Sequence, residues 1–336
     1  MPSGRLCYSS LDSSRERMRE IDPTGSEPAG QRPAGTGQSV LRRVFRSSAL
    51  GSCVLRVCIY LVLAYAISFA LREAGRPWIS DLLPFSPAGL AVAEVNALIG
   101  SVAAAWVMSR LEDQPFGVYG LPVRQALGKN FLWGVFFGLA EVSTVMGLLA
   151  ALGFYHFGSL AVRGREVLHW ALVWAAVFLL VSLSEEFAFR GYAQFTLAQG
   201  MSFWPAAFLL SFLFGLAHLG NPGETRAGIA GIVLTGLFWC FTLRRTGTLW
   251  LAVGMHASFD FGETFLYSVR DSGVLLPGHL SNAVIRGPAW ATGGNAGPEG
   301  SVFDLLALLI LFLVVQRIYP VSKEGQPTQA QQERQA

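Results

Sequence analysis

Ser184-Glu185-Glu186-Phe187-Ala188-Phe189-Arg190 places two adjacent carboxylates and an arginine directly after an almost unbroken apolar run, Val167 to Leu183. A charged side chain at the centre of a transmembrane helix costs roughly 2.5–3.5 kcal/mol on insertion scales. Two carboxylates there must face a wet cavity or find partners on other helices. The alternative is that the helix ends at Ser184 and the charged residues form its solvated flank.

The composition is that of a polytopic membrane protein. Of 336 residues, 52% are hydrophobic and 14% are charged, whereas a soluble domain has about 25% charged residues. The mean hydropathy is +0.44. The net charge of +3 is modest and the arginines fall between apolar runs, so we expect the lipid bilayer, and no nucleic acid, as a partner. The four cysteines show no spacing typical of a zinc site or a disulfide framework.

Apolar runs long enough to cross a bilayer predict an all-α, polytopic transmembrane helical bundle of about eight spans. A span needs about 20 mostly apolar residues. The predicted spans are 50–71, 85–108, 131–153, 167–189 with a continuation to about 199, 203–219, 227–243, 248–268 and 302–319. Residues 1–47 and 321–336 are polar and predict disordered tails, the first in the cytoplasm, on either side of a membrane domain at 48–320.

The distribution of Lys and Arg predicts the orientation. More of these residues fall on the side of the amino terminus than on the opposite side, which favours cytoplasmic amino and carboxyl termini. We expect the protein in the cell membrane (inner or plasma membrane). The Gly-rich segment 271–301 is then an external loop, without recognisable chemistry in its sequence.

Two helical spacings place ionisable residues on shared faces. Residues four apart on a helix are neighbours, so Arg190 can neutralise and orient Glu186. Glu185 is turned about 100° away and lacks a local cation. In the run Leu249 to Tyr267, His256 and Asp260 share a face by the same spacing.

The depths of these residues predict that they meet. If the helix of Glu185 continues to about Gln199, a turn near residues 200–202 puts Glu185 and His218 both roughly 20–25 Å along their helices, at 1.5 Å per residue. Measured from a turn near 245–247, His256 lies at about 15 Å and Asp260 at about 21 Å. Taken singly, each histidine could simply bond a neighbouring carbonyl group. Their shared depth predicts one site, reached from the cytoplasmic end.

Three motifs resemble a known family. Glu185-Glu186-x-x-x-Arg190, Phe214-x-x-x-His218 and His256-x-x-x-Asp260, in this order on successive apolar helices, are similar to those of the CAAX prenyl protease/bacteriocin-processing (CPBP, abortive-infection) intramembrane endopeptidases. The resemblance covers about residues 167–270. Asp260 stands where eukaryotic CAAX proteases have Asn, which weakens the transfer of a CAAX substrate.

The resemblance implies an intramembrane protease that hydrolyses a peptide bond of a membrane-associated peptide or protein substrate. Glu185, as general base, would hold the nucleophilic water together with His218. His256 and Asp260 would bind the developing oxyanion. As an anion Asp260 cannot itself donate to an oxyanion, so it would orient His256 or must be protonated. Glu186 and Arg190 would support them.

The cofactor remains open at this stage. Two histidines and several carboxylates could hold Zn²⁺ with an open position, and Glu185, His218 and His256 are the candidate ligands. The chain has no His-Glu-x-x-His. The family is grouped with metalloproteases, but a metal-free glutamate mechanism is also compatible with the motifs.

Two other functions are compatible with the sequence: a carrier whose pathway is lined by carboxylates and histidines, and a non-catalytic scaffold or immunity protein that retains the fold. The substrate is equally open among a prenylated CAAX tail, a leader peptide and another membrane-protein segment. Arg56, Glu94, Asn96 and Glu263 are interpreted as structural, and Glu263 lies on the same helix face as Asp260.

Overall fold

The computed structural model describes residues 44–320. The predicted tails at 1–47 and 321–336 lie outside the described residues, apart from positions 44–47. The helices are α1 Leu50–Ile79, α2 Pro87–Leu111, α3 Lys129–Ala151, α4 Arg165–Arg190, α5 Tyr192–Met201, α6 Phe203–Ala217, α7 Arg226–Thr246, α8 Trp250–Phe261, α9 Ala289–Thr292 and α10 Val302–Ile318. Shorter turns are the 3₁₀ segments Phe116–Tyr119, Val123–Gln125, His218–Gly220 and Pro298–Gly300 and the π-helix Gly262–Leu266. Two strands, β1 Tyr155–His156 and β2 Val284–Ile285, pair antiparallel.

The predicted helical membrane bundle is confirmed, with fewer helices of full span length than expected. Within residues 44–320, six helical segments are long and apolar enough to cross a membrane, the fourth of them running from α4 through α5. The predicted spans at 248–268 and 302–319 are helical but shorter. The α8 helix has 12 residues before it changes to π-helical geometry, and α10 has 17, or about 26 Å at 1.5 Å per residue.

The α8 helix is short because it is a core element. Every residue from Trp250 to Ser258 is buried, and a helix that is apolar on all sides is typical of a buried position. It packs most extensively against α3. Glycines allow this contact: a Cβ on Gly134 would lie 2.9 Å from both the Cα of Gly254 and the backbone nitrogen of Met255. The two helices therefore meet backbone to backbone, as at small-residue interfaces in membranes.

Two turns make neighbouring helices antiparallel. The α4 helix ends at Arg190, and after the single residue Gly191 the α5 helix begins at Tyr192. The first turn is at Ser202, which has φ 69° and reverses the chain into α6. Gly247 ends α7 in the left-handed conformation, with φ 73°, which costs a glycine little. These turns fall where the sequence predicts them.

Buried polar contacts join α1, α2 and α5. The Arg56 guanidinium lies 3.2 Å from Glu112 Oε2 and donates to Gln199 Oε1 at 3.0 Å. The Tyr192 hydroxyl donates to the other oxygen of Glu112. Because a buried charge needs a partner, this network fixes the three helices relative to one another. The structural interpretation of Arg56 agrees with these contacts.

The segment between α8 and α10 is held against the bundle. The pairing of β1 with β2 joins it to the residues that follow α3. On another helix, Trp174 Nε1 donates to the Pro277 carbonyl at 3.1 Å. The segment therefore lies at the end of the bundle where α4 begins.

The contact between α3 and α8 predicts opposite effects for two glycines of the same helix. Gly134→Ala should lower the melting temperature in detergent, because the new Cβ meets rigid backbone atoms and overpacking costs about 1–3 kcal/mol. Gly147→Ala is the matched control, because nothing lies within 4 Å of its added Cβ. Alanine has a higher helix propensity than glycine, by about 1 kcal/mol, so this control should keep or raise the melting temperature. Equal effects of the two substitutions would contradict a close contact at Gly134.

Candidate active site

A cavity of about 250 Å³ lies among α2, α3, α4, α6, α7, α8 and the segment after α8. Glu185, His218, His256 and Asp260 all line it. The structure thus brings the four predicted catalytic residues to one cavity. Glu186 and Arg190 lie behind its wall and are fully buried.

His256 is surrounded by carboxylates. Its Nδ1 lies 3.2 Å from Glu186 Oε1. Its Nε2 lies 3.3 Å from Asp260 Oδ2 and 3.6 Å from Glu185 Oε2. Trp239 stacks on the imidazole with a centroid separation of 4.3 Å and an interplanar angle of 24°. The ring plane is therefore fixed, and both nitrogens can donate to carboxylate oxygens.

Glu186 and Arg190 form the predicted pair on α4. Arg190 Nη1 donates to Glu186 Oε1 at 2.9 Å, and both side chains are fully buried. The guanidinium also lies 4.3 Å from the centroid of Phe214 and 5.3 Å from that of Trp239. Because the same oxygen of Glu186 faces His256, the pair positions the imidazole.

Glu185 lines the cavity with a partly exposed carboxylate. Its side chain is 25% exposed, and its more buried oxygen, Oε2, makes no hydrogen bond. That oxygen lies 3.6 Å from His256 Nε2. This carboxylate can therefore accept a hydrogen bond from a water molecule in the cavity.

His218 reaches the cavity from the end of α6. It begins the 3₁₀ turn that follows Ala217, and its Nδ1 lies 2.9 Å from the Phe214 carbonyl oxygen. A proton on Nδ1 donates to that oxygen and leaves Nε2 as an acceptor. The Phe214 ring lies 4.8 Å from the ring of His218 and 6.4 Å from that of His256, so it contacts both histidines.

The cavity lies toward the end of the bundle opposite to the predicted access route. Phe85, Leu90, Asp271 and Leu276 contribute to its lining, and all four belong to, or lie near, segments that connect helices at that end. The amino-terminal end of α1 packs against Gly200, at the other end. The predicted access from the end that carries residues 244–247 is therefore wrong, and the cavity lies nearer the opposite end. Depths counted from the turns near 200–202 and 245–247 do not reveal this, because the path of the segment after α8 depends on tertiary contacts.

Several lining residues have no role in the sequence-based site. Glu94 was interpreted as structural, but it lines the cavity together with Glu141. The signal was available, since a lone carboxylate in an apolar span is by default a functional candidate. Asp271 and Glu299, from the segment described as without recognisable chemistry, also line the cavity. Trp239 gave no signal, because its stacking on His256 depends on the packing of α7 against α8.

With this geometry described, comparison with known proteins identifies the family. Residues 167–262 match the family described as "Rce1-like: Type II CAAX prenyl endopeptidase Rce1-like". These residues form a domain of that family. The match includes every predicted catalytic and supporting residue, and it makes this membrane-embedded domain a protease at the level of the family. Comparisons with curated proteins and with solved structures found no match.

The donor set around His256 does not form a three-ligand metal site. Nδ1 of His256 is occupied by Glu186 Oε1 at 3.2 Å, which leaves Nε2 as its one possible ligand atom. Among the described residues, ligand atoms of Glu185, His218 and His256 do not all lie within 4.8 Å of one another. The Phe214 ring, in contact with both histidines, accounts for part of this separation.

The buried pair on α4 predicts a loss of stability that an exposed pair does not. Arg190→Ala leaves Glu186 buried without its cation, which costs about 3–5 kcal/mol, so the melting temperature in detergent and the folded yield should fall. Arg76→Ala is the control, because Arg76 and Glu73 pair at 3.4 Å with side chains 74% and 41% exposed. An exposed pair contributes little, so this variant should melt like wild type. Equal melting of the two variants would rule out a structural role for the α4 pair.

Proposed function

We propose that the protein is an intramembrane endopeptidase in which Glu185 activates a water molecule. The observation that carries the proposal is the Glu185 side chain, which lines the cavity, is 25% exposed and lies 3.6 Å from His256 Nε2. A general base needs an accessible acceptor within hydrogen-bonding reach of the proton it removes. His218, with its Nε2 available as an acceptor, holds the same water.

Each proton in the reaction has an assigned donor and acceptor. Glu185 takes a proton from water as the oxygen attacks the carbonyl carbon of the substrate. The negative charge that develops on the carbonyl oxygen faces His256, which donates from Nε2. Glu185 then gives its proton to the leaving amine as the carbon–nitrogen bond breaks. The products are a carboxylic acid and an amine, and Glu185 is ready for another turnover.

Asp260 and Glu186 act through His256. Asp260 Oδ2 lies 3.3 Å from Nε2 and Glu186 Oε1 lies 3.2 Å from Nδ1, so the two carboxylates fix the orientation of the imidazole whose Nε2 donates to the oxyanion. An ionised Asp260 cannot donate to an oxyanion, so we assign it to positioning. The mechanism uses a water activated by the side chains alone, in keeping with the poor fit of a metal at His256.

The cavity fits a peptide segment that is partly apolar. Its lining combines the catalytic groups with side chains such as Phe178, Val181, Ile232 and Met255. This mixture suits an extended segment of a membrane-associated substrate, whose carbonyl group lies near His256 while its side chains contact apolar walls. Prenylated tails and other membrane peptides both have this character.

The orientation in the membrane separates these substrate classes. The Lys and Arg distribution predicts cytoplasmic termini, and the cavity lies toward the end of the bundle opposite to the start of α1. With that orientation the site faces away from the cytoplasm, which favours a leader peptide or another membrane-protein segment over a cytoplasmic prenylated tail.

Removing the proposed base should abolish hydrolysis without unfolding the protein. Glu185→Gln keeps the shape of the side chain, so the melting temperature should stay within a few degrees of wild type, while kcat/KM should fall by a factor on the order of 10² or more. Glu166→Gln is the matched control, because Glu166 is an exposed carboxylate in the first turn of the same helix. Cleavage of a membrane-reconstituted reporter, followed by mass spectrometry, measures both. Wild-type turnover by Glu185→Gln would overturn the protease mechanism and favour a carrier or a scaffold.

The positioning role of Asp260 predicts a graded loss. Asp260→Asn retains an oxygen that accepts from His256 Nε2, so kcat/KM should fall less than about tenfold. Asp260→Ala removes the acceptor, and a fall on the order of 10² is expected, comparable to the loss of one oxyanion-stabilising group. The same cleavage assay compares them, with KM and kcat measured separately, and the loss should lie in kcat. An Asn variant as impaired as the Ala variant would show that the charge of Asp260 is essential.

A further inference from the structure

Three carboxylates converge beside the catalytic cavity and take no part in the proposed reaction. Glu263 lies in the π-helix that extends α8, Asp271 in the segment that follows, and Glu299 in the 3₁₀ turn before α10. One oxygen from each lies within 4.8 Å of the others. Glu299 comes 28 positions after Asp271 and 36 after Glu263 in the sequence. The cluster is therefore a product of the tertiary fold.

Glu263 is the member of this cluster that calls for a ligand. Its side chain is fully buried, and neither of its oxygens has a hydrogen-bond partner. Asp271 accepts a hydrogen bond from Thr264 Oγ1 at 3.1 Å, and Glu299 accepts from Ser272 Oγ at 2.8 Å. The Glu263 carboxylate is thus directed at two other carboxylates with no donor of its own.

Among the described residues, His218 is the basic group that acts electrostatically on Asp271, and it does so without forming an ion pair. Within residues 44–320, none of the three carboxylates forms an ion pair with Lys, Arg or His. The neighbouring Arg270 donates instead to the Gly273 carbonyl, at 3.1 Å. Burial raises the pKa of Asp271 to about 7, and burial together with the nearby Asp271 raises the pKa of Glu299. Bound protons or a bound cation must therefore relieve the repulsion.

We propose that Glu263, Asp271 and Glu299 bind a calcium ion. One oxygen from each residue lies within 4.8 Å of the others, close enough for all three to contact one Ca²⁺ ion at its usual oxygen distance of about 2.4 Å. Three protein carboxylates at one site suit Ca²⁺, because Mg²⁺ usually keeps several waters and is held by one or two carboxylates. The donor set contains only oxygen, which suits Ca²⁺ better than zinc or copper.

The proposed ion would join three separate parts of the chain. Glu263 is three residues after Asp260, Glu299 precedes the Ser301 cap of α10, and Asp271 lies between them. Asp271 and Glu299 also line the catalytic cavity. The ion would therefore hold one wall of the cavity against the helix that carries His256, and it would be a structural ion, independent of the chemistry at Glu185.

Direct binding and melting test this site on the full-length protein purified in detergent and stripped with EDTA. Equilibrium binding of ⁴⁵Ca²⁺ should give one ion per chain. Calcium at about 100 times its dissociation constant should raise the melting temperature by on the order of 5 °C, whereas the same concentration of Mg²⁺ should have a smaller effect.

Substitution of Glu263 locates the ion. Glu263→Gln should weaken ⁴⁵Ca²⁺ binding at least tenfold and remove the calcium-dependent rise in melting temperature. In EDTA it should melt at or above wild type, since one of three repelling charges is gone. The control Glu166→Gln removes an exposed carboxylate far from the cluster in sequence and should bind calcium like wild type. If Glu263→Gln does not fold, Asp271→Asn provides the same comparison.

Two results would overturn the proposal. One is a wild-type protein that binds no ⁴⁵Ca²⁺ at millimolar concentration and melts identically in calcium and EDTA, because the carboxylates would then be relieved by protons. The other is undiminished calcium binding by the Glu263→Gln or Asp271→Asn variant, because the ion would then lie elsewhere. Neither result depends on proteolysis, so the outcome is separate from that of the Glu185→Gln assay.

Discussion

The ion pair between Glu186 and Arg190, at 2.9 Å and fully buried, is the interaction on which the site depends. In a low-dielectric interior a charge persists only when it is paired and hydrogen-bonded. The Arg190 guanidinium is paired with Glu186 and lies over the faces of Phe214 and Trp239, so its charge is compensated. Glu186 then presents the same oxygen to His256 Nδ1. The pair therefore fixes the position of the imidazole through Nδ1, and the stacked Trp239 fixes the plane of the ring.

This arrangement divides two adjacent glutamates between different roles. Consecutive residues on a helix point about 100° apart, so Glu186 faces the protein interior and Glu185 faces the cavity. Glu186 is fully buried and paired, whereas Glu185 is 25% exposed and lines the cavity. One carboxylate can then serve structure while its neighbour serves chemistry. In the proposed mechanism the same division recurs on α8, where His256 would face the substrate carbonyl and Asp260 would orient the imidazole.

The helical spacing within the motifs allowed much of the site to be predicted from the sequence. The pairs Glu186–Arg190 and His256–Asp260 are local, and local neighbours follow from 3.6 residues per turn. The helical bundle was predictable from hydropathy. The turns at Ser202 and Gly247 were predictable from the short Gly-containing stretches between apolar runs. These features depend on short stretches of sequence and need no knowledge of tertiary packing.

The features that the sequence left undetermined depend on contacts between distant segments. Trp239 stacks on His256 because α7 packs beside α8, and no spacing indicates this. Glu94 and Glu141 are single charged residues in apolar spans, a pattern that indicates a functional site. That they line the same cavity as Glu185 depends on the rotation of their helices. Asp271 and Glu299 belong to a Gly-rich segment whose path is fixed by strand pairing and backbone contacts. The α8 helix is shorter than the predicted span, because an apolar run is the same in a buried helix and in a lipid-facing one.

Acidic groups outnumber basic ones around the cavity, since Glu94, Glu141, Asp271 and Glu299 line it in addition to Glu185 and Asp260. The two lining histidines and the buried Arg190 behind the wall are the positive or potentially positive groups assigned to the site. Such an environment disfavours binding of an anionic group beside Glu185. A peptide carbonyl, which is neutral until it is attacked, suits these conditions.

The central claim is that Glu185 and His218 act on one water molecule, and a double-mutant cycle tests it most directly. The kcat/KM of a reporter cleavage is measured for Glu185→Gln, His218→Ala and the double variant, each with a melting temperature to verify folding. Residues that act as a unit are strongly non-additive, so the double variant should be within about threefold of the worse single variant. Losses that multiply fully in the double variant would show that the two residues act independently, and would contradict the account.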